Sequence, residues 1–340
     1  MTYSILVTGG AGYIGSHMVK LLRSQGHQVT VFDNFSTGHR DAVKGADLVE
    51  GDLKSAADAG RAFAGRKFDA VMHFAASCYV GESVQEPAKY YNNNVLGTLN
   101  LLDAMRAAQV QRLVFSSTCA TYGDPVSLPM NEDHPQRPVN PYGMSKLVAE
   151  RAMADYGRAY GLDTIALRYF NASGCDAEGE LGERHSPETH LIPLVLFEAL
   201  RLRAGGDPAA TRLQVFGDDF DTPDGTCVRD YVHIADLCSA HLLALQRLMR
   251  SPGAGFEAFN LGTGTGCSVK DVIEICRRIT GQDIRYRIAE RRAGDPARLV
   301  ASAARAQAAL GWTPRFTALP DIVDTAWRWF SRQAPQLRCG

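Results

Sequence analysis

Over the first 170 residues, short unbroken apolar runs alternate with longer stretches of helical spacing. Ser4–Thr8 is apolar without polar alternation, which fits a strand buried on both faces. The same pattern predicts strands at Gln28–Phe32, Ala46–Glu50, Ala70–Phe74, Arg112–Ser116 and Thr164–Arg168. Helices are expected after the first strand through Leu22, over Pro87–Ala108 and over Pro141–Tyr160. In the second of these, Val95, Leu99 and Leu102 share a face, while Asn92, Asn93 and Asn94 interrupt it with poor helix formers. Six strands alternating with helices predict an α/β fold with a doubly wound parallel sheet.

After Asn171 the rhythm breaks. Asp176–Pro187 and Asp218–Thr226 read as loops, Leu191–Arg203, Ile234–Leu248 and Val269–Thr280 as helices, and Glu257–Leu261 as a strand before a glycine turn. Trp327–Trp329 lies on the last helix. This half is expected to be a smaller C-terminal α/β domain over the sheet's carboxyl edge. The expected division is 1–171 with 227–254, and 172–226 with 255–335. A length of 340 residues suits two such units.

A formal net charge of -1 gives no reason to expect a nucleic-acid or membrane partner. No apolar run spans a bilayer and no basic segment precedes the first strand, so a cytoplasmic protein is expected. The eight cysteines are scattered without zinc spacing, which predicts reduced thiols and no metal.

Gly9-x-x-Gly12-x-x-Gly15 follows the first strand at once and opens a helix. In that setting glycines let a backbone approach a pyrophosphate, which the helix N-terminus attracts. Asp33 ends the second strand, where an acid grips ribose hydroxyls and repels a 2′-phosphate, favouring NAD. Asn34–Gly38, with Ser36 and Thr37, reads as a turn beside that ribose. Ala75 and Ala76 end the fourth strand with small side chains. Ser116 and Thr118 give the fifth strand a hydroxyl-rich end, where open α/β sheets bind ligands. Tyr142 and Lys146 lie one helical turn apart, so the ammonium is expected to bring the phenol nearer neutral pH as a base. His233 reads as a packing residue.

The glycine turn, Thr118 and Tyr142-x-x-x-Lys146 together resemble the extended short-chain dehydrogenase/reductase superfamily. Within it the chain is similar, over nearly its whole length, to the UDP-glucose 4-epimerase family. The stretches are Thr8–His17, Phe115–Gly123, Arg168–Asn171, Asp224–His233 and Arg291–Asp295. The resemblance implies a Rossmann NAD-binding domain and a UDP-sugar-binding domain. It implies reversible 4-epimerisation of UDP-galactose and UDP-glucose through a 4-keto sugar, with NAD retained. Thr118 and Tyr142 would meet the 4-hydroxyl, and Lys146 the nicotinamide ribose. Tyr13, Ile14, Asp33, Asn34, Asp52, Leu53, Phe74, Ala75, Asn94 and Phe170 would contact NAD, beside the glycine-turn and strand-end residues already named. Asn171, Leu191, Phe216, Arg229, Tyr231, Arg292, Asp295 and Leu299 would hold the substrate. A homodimer through the Pro87–Ala108 and Pro141–Tyr160 helices is implied.

The chain departs from the pattern at Cys78, where many relatives carry a cofactor-contacting Lys, and at Thr118, where Ser is commoner. Leu299 stands where bulk governs acceptance of a 2-acetamido sugar. Dehydratases place an acid pair after the strand-end Thr; here Cys119 and Ala120 follow. Epimerisation of another UDP-sugar (UDP-GlcNAc, UDP-xylose or a uronic acid) and a non-catalytic NAD-sensing protein stay open as alternatives.

Overall fold

The computed structural model describes residues 1–292 and 295–333. Ala293 and Gly294, and residues 334–335 of the expected second domain, lie outside the described residues. The six expected strands form, as β1 (Ser4–Thr8), β2 (Gln28–Asp33), β3 (Asp47–Glu50), β4 (Ala70–His73), β5 (Arg112–Ser116) and β6 (Asp163–Arg168). A seventh strand, Phe256–Asn260, pairs with β6 at the edge. All pairs are parallel, in the order β3-β2-β1-β4-β5-β6 and then the edge strand. The order reverses between β1 and β4, which opens a crevice at their carboxyl ends.

The unbroken apolar runs have a direct cause. Ile5 and Val7 face one side of the sheet, where Val19, Leu22, Leu237 and Leu245 cover them from the Tyr13–Ser24 and Ile234–Arg250 helices. Leu6 faces the other side with Leu113 and Phe115, under Leu101, Met105 and Met153. Both faces are dry, so alternation is lost.

A second core lies among the helices Leu191–Arg203, Val269–Thr280 and Leu319–Gln333. It sits beside short strand pairs that include Gln214–Phe216 with Arg287–Ala289. Val228–Arg229 pairs with Cys267–Ser268 and with Arg298–Leu299.

The expected division at residue 255 needs correction. Phe256–Asn260 completes the large sheet, and Ala306, Leu310 and Trp312 return to the first core. The Trp312 Nε1–H donates to the Asp236 carbonyl at 3.0 Å, which anchors that return. The Pro87–Ala108 helix is also modified: Tyr91–Leu96 forms a π-turn between α-helical segments. His233 packs as expected, stacked on Phe316 at 3.8 Å and bonded to Thr325.

Candidate active site

The glycines of the first turn separate into two kinds. Gly9 has φ 73°, and a Cβ there would lie 2.4 Å from the Ala75 nitrogen. At Gly15 a Cβ would lie 2.1 Å from the Gly9 carbonyl oxygen. Packing alone requires these two. Gly12 has an ordinary φ of -77°, and a Cβ there would come no closer than 3.4 Å to the protein beyond its neighbours. Packing leaves Gly12 unexplained; a ligand brought against bare backbone explains it. The helix that begins at Tyr13 has no side-chain cap and no acid in its first turn. Its N–H groups and dipole therefore suit a dinucleotide pyrophosphate.

The strand ends carry matching groups. Asp33 accepts from the Ala11 N–H at 2.9 Å and the Phe35 N–H at 2.8 Å. Burial raises its pKa against those bonds. The Asn34 amide donates to Asp52 at 3.1 Å, so two of the expected ribose-side residues are joined. Gly38 lets this turn close on the glycine loop, since a Cβ there would lie 2.8 Å from that of Ala11. A cavity of about 330 Å³ opens among Asn34, Ser36, Lys54, Ser77 and Asn93, and Thr37 lines another of about 120 Å³ with Gly12 and Tyr13. The Phe74 and Ala75 N–H groups donate to the Thr8 carbonyl, which sets Ala75 against Gly9. Ile14 packs against the first core, Leu53 within the core on the other face, and Phe170 beside Cys119 and Tyr122.

Asn94 is buried, and protein groups take up its amide. It donates to the Ser77 carbonyl and Ser145 Oγ, both at 3.0 Å, and accepts from Ser77 N–H and Asn93. Its observed role is to clamp the Ser77 loop to the helix of Tyr142.

That helix, Pro141–Tyr160, begins with Asn140 accepting from the Gly143 N–H at 2.8 Å and with Pro141 in its first turn. Gly143 allows the close approach: a Cβ there would lie 2.4 Å from the Ala120 carbonyl oxygen. The approach sets Tyr142 beside Thr118 at the end of β5. Burial is the largest influence on the Tyr142 phenol and holds its pKa above the ordinary value, while the Thr118 hydroxyl beside it acts in the opposite direction.

Lys146 Nζ is buried and donates to the Ser116 carbonyl at 2.8 Å, over the Phe115 ring. Burial pushes its pKa down to about 8. In the protein alone, burial of the phenol outweighs any help from the ammonium. A further positive charge beside Tyr142 is needed to favour the phenolate. Cys78 is pushed up to about 11, chiefly by burial, and stays a neutral thiol.

Beneath these groups runs a polar network that the sequence reading missed. Arg168 and Glu150 form a buried two-pronged pair at 2.9 and 2.5 Å. Ser117 Oγ donates to Glu150, and Arg168 donates to the Tyr122 hydroxyl, which donates to Asn260. The pair fastens the Tyr142 helix to β6, 18 residues apart in sequence, so no local spacing reveals it. Cys119 is buried beside Tyr122 and Met130.

Among the residues expected to hold the substrate, Arg229 Nη2 pairs with Asp295 at 2.9 Å while Nη1 donates to the Val228 and Pro296 carbonyls. The exposed Arg292 guanidinium lies 3.9 Å over the Phe216 ring. Leu299 is in register with Arg229, and the Asn171 amide donates to the Asp230 carbonyl at 3.0 Å. Leu191, half-buried, and Tyr231, buried, both pack on the second core.

Residues 5–262 match the NAD dependent epimerase/dehydratase family. A UDP-glucose 4-epimerase of Halalkalibacterium halodurans is 49% identical over 326 residues, 96% of this chain and 95% of the relative. The crystal structure of UDP-glucose 4-epimerase from Brucella ovis in complex with NAD superposes with a TM-score of 0.90 at 49% identity, over 96% of this chain and 98% of that one. The Bifidobacterium longum enzyme of the same name, in complex with NAD+ and UDP, gives 0.89 at 36% identity, over 97% and 98%. With the glycine turn, the Thr118–Tyr142–Lys146 group and this likeness in hand, the chain belongs to the NAD dependent epimerase/dehydratase family.

Proposed function

We propose that this chain is a UDP-glucose 4-epimerase, inverting C4 of UDP-galactose and UDP-glucose reversibly through a 4-keto sugar. The carrying observation is Tyr142 set beside Thr118 and one turn from the buried Lys146, at the end of β5. NAD, when bound, supplies the hydride acceptor and donor and a positive ring near the phenol. Gly12, the Tyr13 helix N-terminus, Asp33 and the Asn34–Asp52 pair would hold it. Tyr142 takes the 4-hydroxyl proton and returns it, with Thr118 orienting that hydroxyl. Arg229, Arg292, Asp295 and Phe216 keep the UDP in place while the keto sugar turns. Cys119 and Ala120 offer no acid pair for dehydration.

The larger sheet unit would serve NAD and the smaller unit the UDP-sugar. A homodimer is part of the proposal. Tyr91 and Leu96, with Met144, Val148 and Tyr160, leave large apolar side chains exposed on the two expected helices. The seven described cysteines are free thiols, which suits a reducing cytoplasm. Among the described residues no helix is long and apolar enough to cross a membrane.

The test is conversion of UDP-galactose by purified protein with no NAD added. UDP-glucose formation is expected. No conversion of this sugar, even with NAD supplied, would overturn the substrate assignment.

A further inference from the structure

Behind Tyr142 a buried ion pair carries more contacts than charge compensation requires. Glu150 and Arg168 are 2% and 4% exposed. Tyr142, Lys146 and Glu150 follow one another at four-residue spacing along one side of the Pro141–Tyr160 helix, while Arg168 ends β6. Glu150 Oε1 accepts from Arg168 Nε and Ser117 Oγ; Oε2 accepts from Arg168 Nη2 and, at 3.3 Å, from Gln136. With both oxygens engaged from two sides, the carboxylate has one orientation. The remaining arm of the guanidinium, Nη1, donates to the Tyr122 hydroxyl at 2.9 Å, which donates in turn to Asn260 at 2.6 Å.

Thr118 sits between these anchors. The Ser117 N–H donates to the Leu167 carbonyl at 2.9 Å and the Cys119 N–H to the Tyr169 carbonyl at 3.1 Å, so the backbone on either side of Thr118 is tied to β6 and the residue after it. Those bonds place Thr118 against the sheet, not against the helix that brings Tyr142. Two side chains of that helix reach back to the end of β5: Lys146 to the Ser116 carbonyl and Glu150 to Ser117 Oγ. Lys146 is a compact charge on a flexible stem, whereas the Glu150–Arg168 fork is two-pronged and holds one geometry.

We propose that, in the reaction read above as 4-epimerisation, Glu150 and Arg168 are positioning residues that keep the Thr118 hydroxyl at a fixed place along the Tyr142 helix. The reaction rests on that reading; the geometry does not. A buried ion pair adds little stability over well-packed apolar side chains, so direction is what this one supplies. Proton transfer is sensitive to such placement, a displacement near 1 Å costing roughly 10²-fold.

Arg168→Lys keeps the charge that Glu150 needs and removes the fork. In the NAD-loaded protein it should lower kcat for UDP-galactose at least about tenfold, with KM and NAD content unchanged. A second readout needs no substrate: the pH midpoint of the Tyr142 phenolate, followed by ultraviolet absorbance against Tyr142→Phe. Burial raises this midpoint and the Thr118 hydroxyl lowers it, so moving that hydroxyl away should raise it further, by about half a pH unit or more. Cys78, Cys119 and Tyr169 also act on the phenol and are the same in the variants compared. Ser117→Ala leaves the ion pair whole and cuts its link to β5. It should move both readouts the same way by less, and it decides the matter if Arg168→Lys does not fold.

Arg247→Lys is the control. Arg247 makes an equally two-pronged pair with Glu257, both bonds at 2.8 Å, between the Ile234–Arg250 helix and the edge strand. Its variant should keep both readouts at the parent's values. A parental midpoint in Arg168→Lys (or in Ser117→Ala where the first does not fold), or an equal change in Arg247→Lys, would overturn the positioning role. If the parent itself converts no UDP-galactose, the substrate reading fails, while the midpoint still decides whether Glu150 and Arg168 hold Thr118 to Tyr142.

Discussion

On the cofactor side of the cleft, position is set by backbone. Gly9 and Gly15 are required because a Cβ there would lie only 2.4 and 2.1 Å from backbone atoms, and Gly12 leaves a helix end bare. On the proposed substrate side, position is set by side chains from separate segments: Arg229 pairs with Asp295, and the Arg292 guanidinium lies over the Phe216 ring. Backbone placement tolerates almost no change but needs only one contiguous stretch. Side-chain placement can be retuned residue by residue, which suits the half that must distinguish sugars.

Tyr142→Phe tests the point where the halves meet, and its effect should be largest. Loss of the proton-transfer group should lower kcat about 10³-fold, near 4 kcal/mol, with NAD content unchanged. A near-normal rate would remove Tyr142 as the base. The glycines then test the backbone half. Gly15→Ala should destabilise the fold by about 3 kcal/mol in denaturant melts, because its Cβ meets backbone. Gly12→Ala should melt like the parent yet purify without NAD. If it retained NAD, the distinction between the two kinds of glycine would fail.

The same contrast explains what could be read from the chain. Strands buried on both faces announce themselves, as Ile5, Leu6 and Val7 do. The glycine turn and Asp33 are legible because one strand, one turn and one helix start contain them. Phe256–Asn260 was legible as a strand but not as a member of the sheet, since its partner β6 lies some ninety residues earlier. Gly143 and the Glu150–Arg168 pair act through contacts that no local period encodes. The substrate residues entered through family resemblance, because Phe216 and Asp295 share no segment. Spacing shows that an ammonium is near Tyr142, not that burial of the phenol acts against it in the chain without cofactor.

Arg229→Ala should raise KM for UDP-sugars about 10- to 100-fold, the worth of a charge-assisted bond, with NAD content unchanged. Loss of NAD together with substrate affinity would show that the halves are not separable. A smaller effect comes from Lys146 in cofactor-stripped protein. Its proton leaves the folded chain near pH 8 and the unfolded chain near its ordinary 10.5. Between those values the unfolded chain binds more protons, so stability rises with pH. The cost of burying the ammonium is complete below about pH 8 and is relieved above it, at up to about 1.4 kcal/mol per pH unit. Denaturant melts across this window should show the rise, and Lys146→Met should remove it.

Arg292 and Phe216 give the finest test of side-chain placement. The guanidinium is exposed, and its recorded contact is the ring 3.9 Å beneath it. Such a stack is worth about 0.5–1 kcal/mol at an exposed site. If the ring's task is to hold the guanidinium towards the UDP, either truncation removes the same arrangement. Arg292→Ala and Phe216→Ala should then each raise KM several-fold, and the double variant little more than the worse single one. That coupling, near 1 kcal/mol in a double-mutant cycle, would mark the two as one unit. Additive effects would mean instead that each meets the substrate separately, and the substrate side would be assembled from independent contacts.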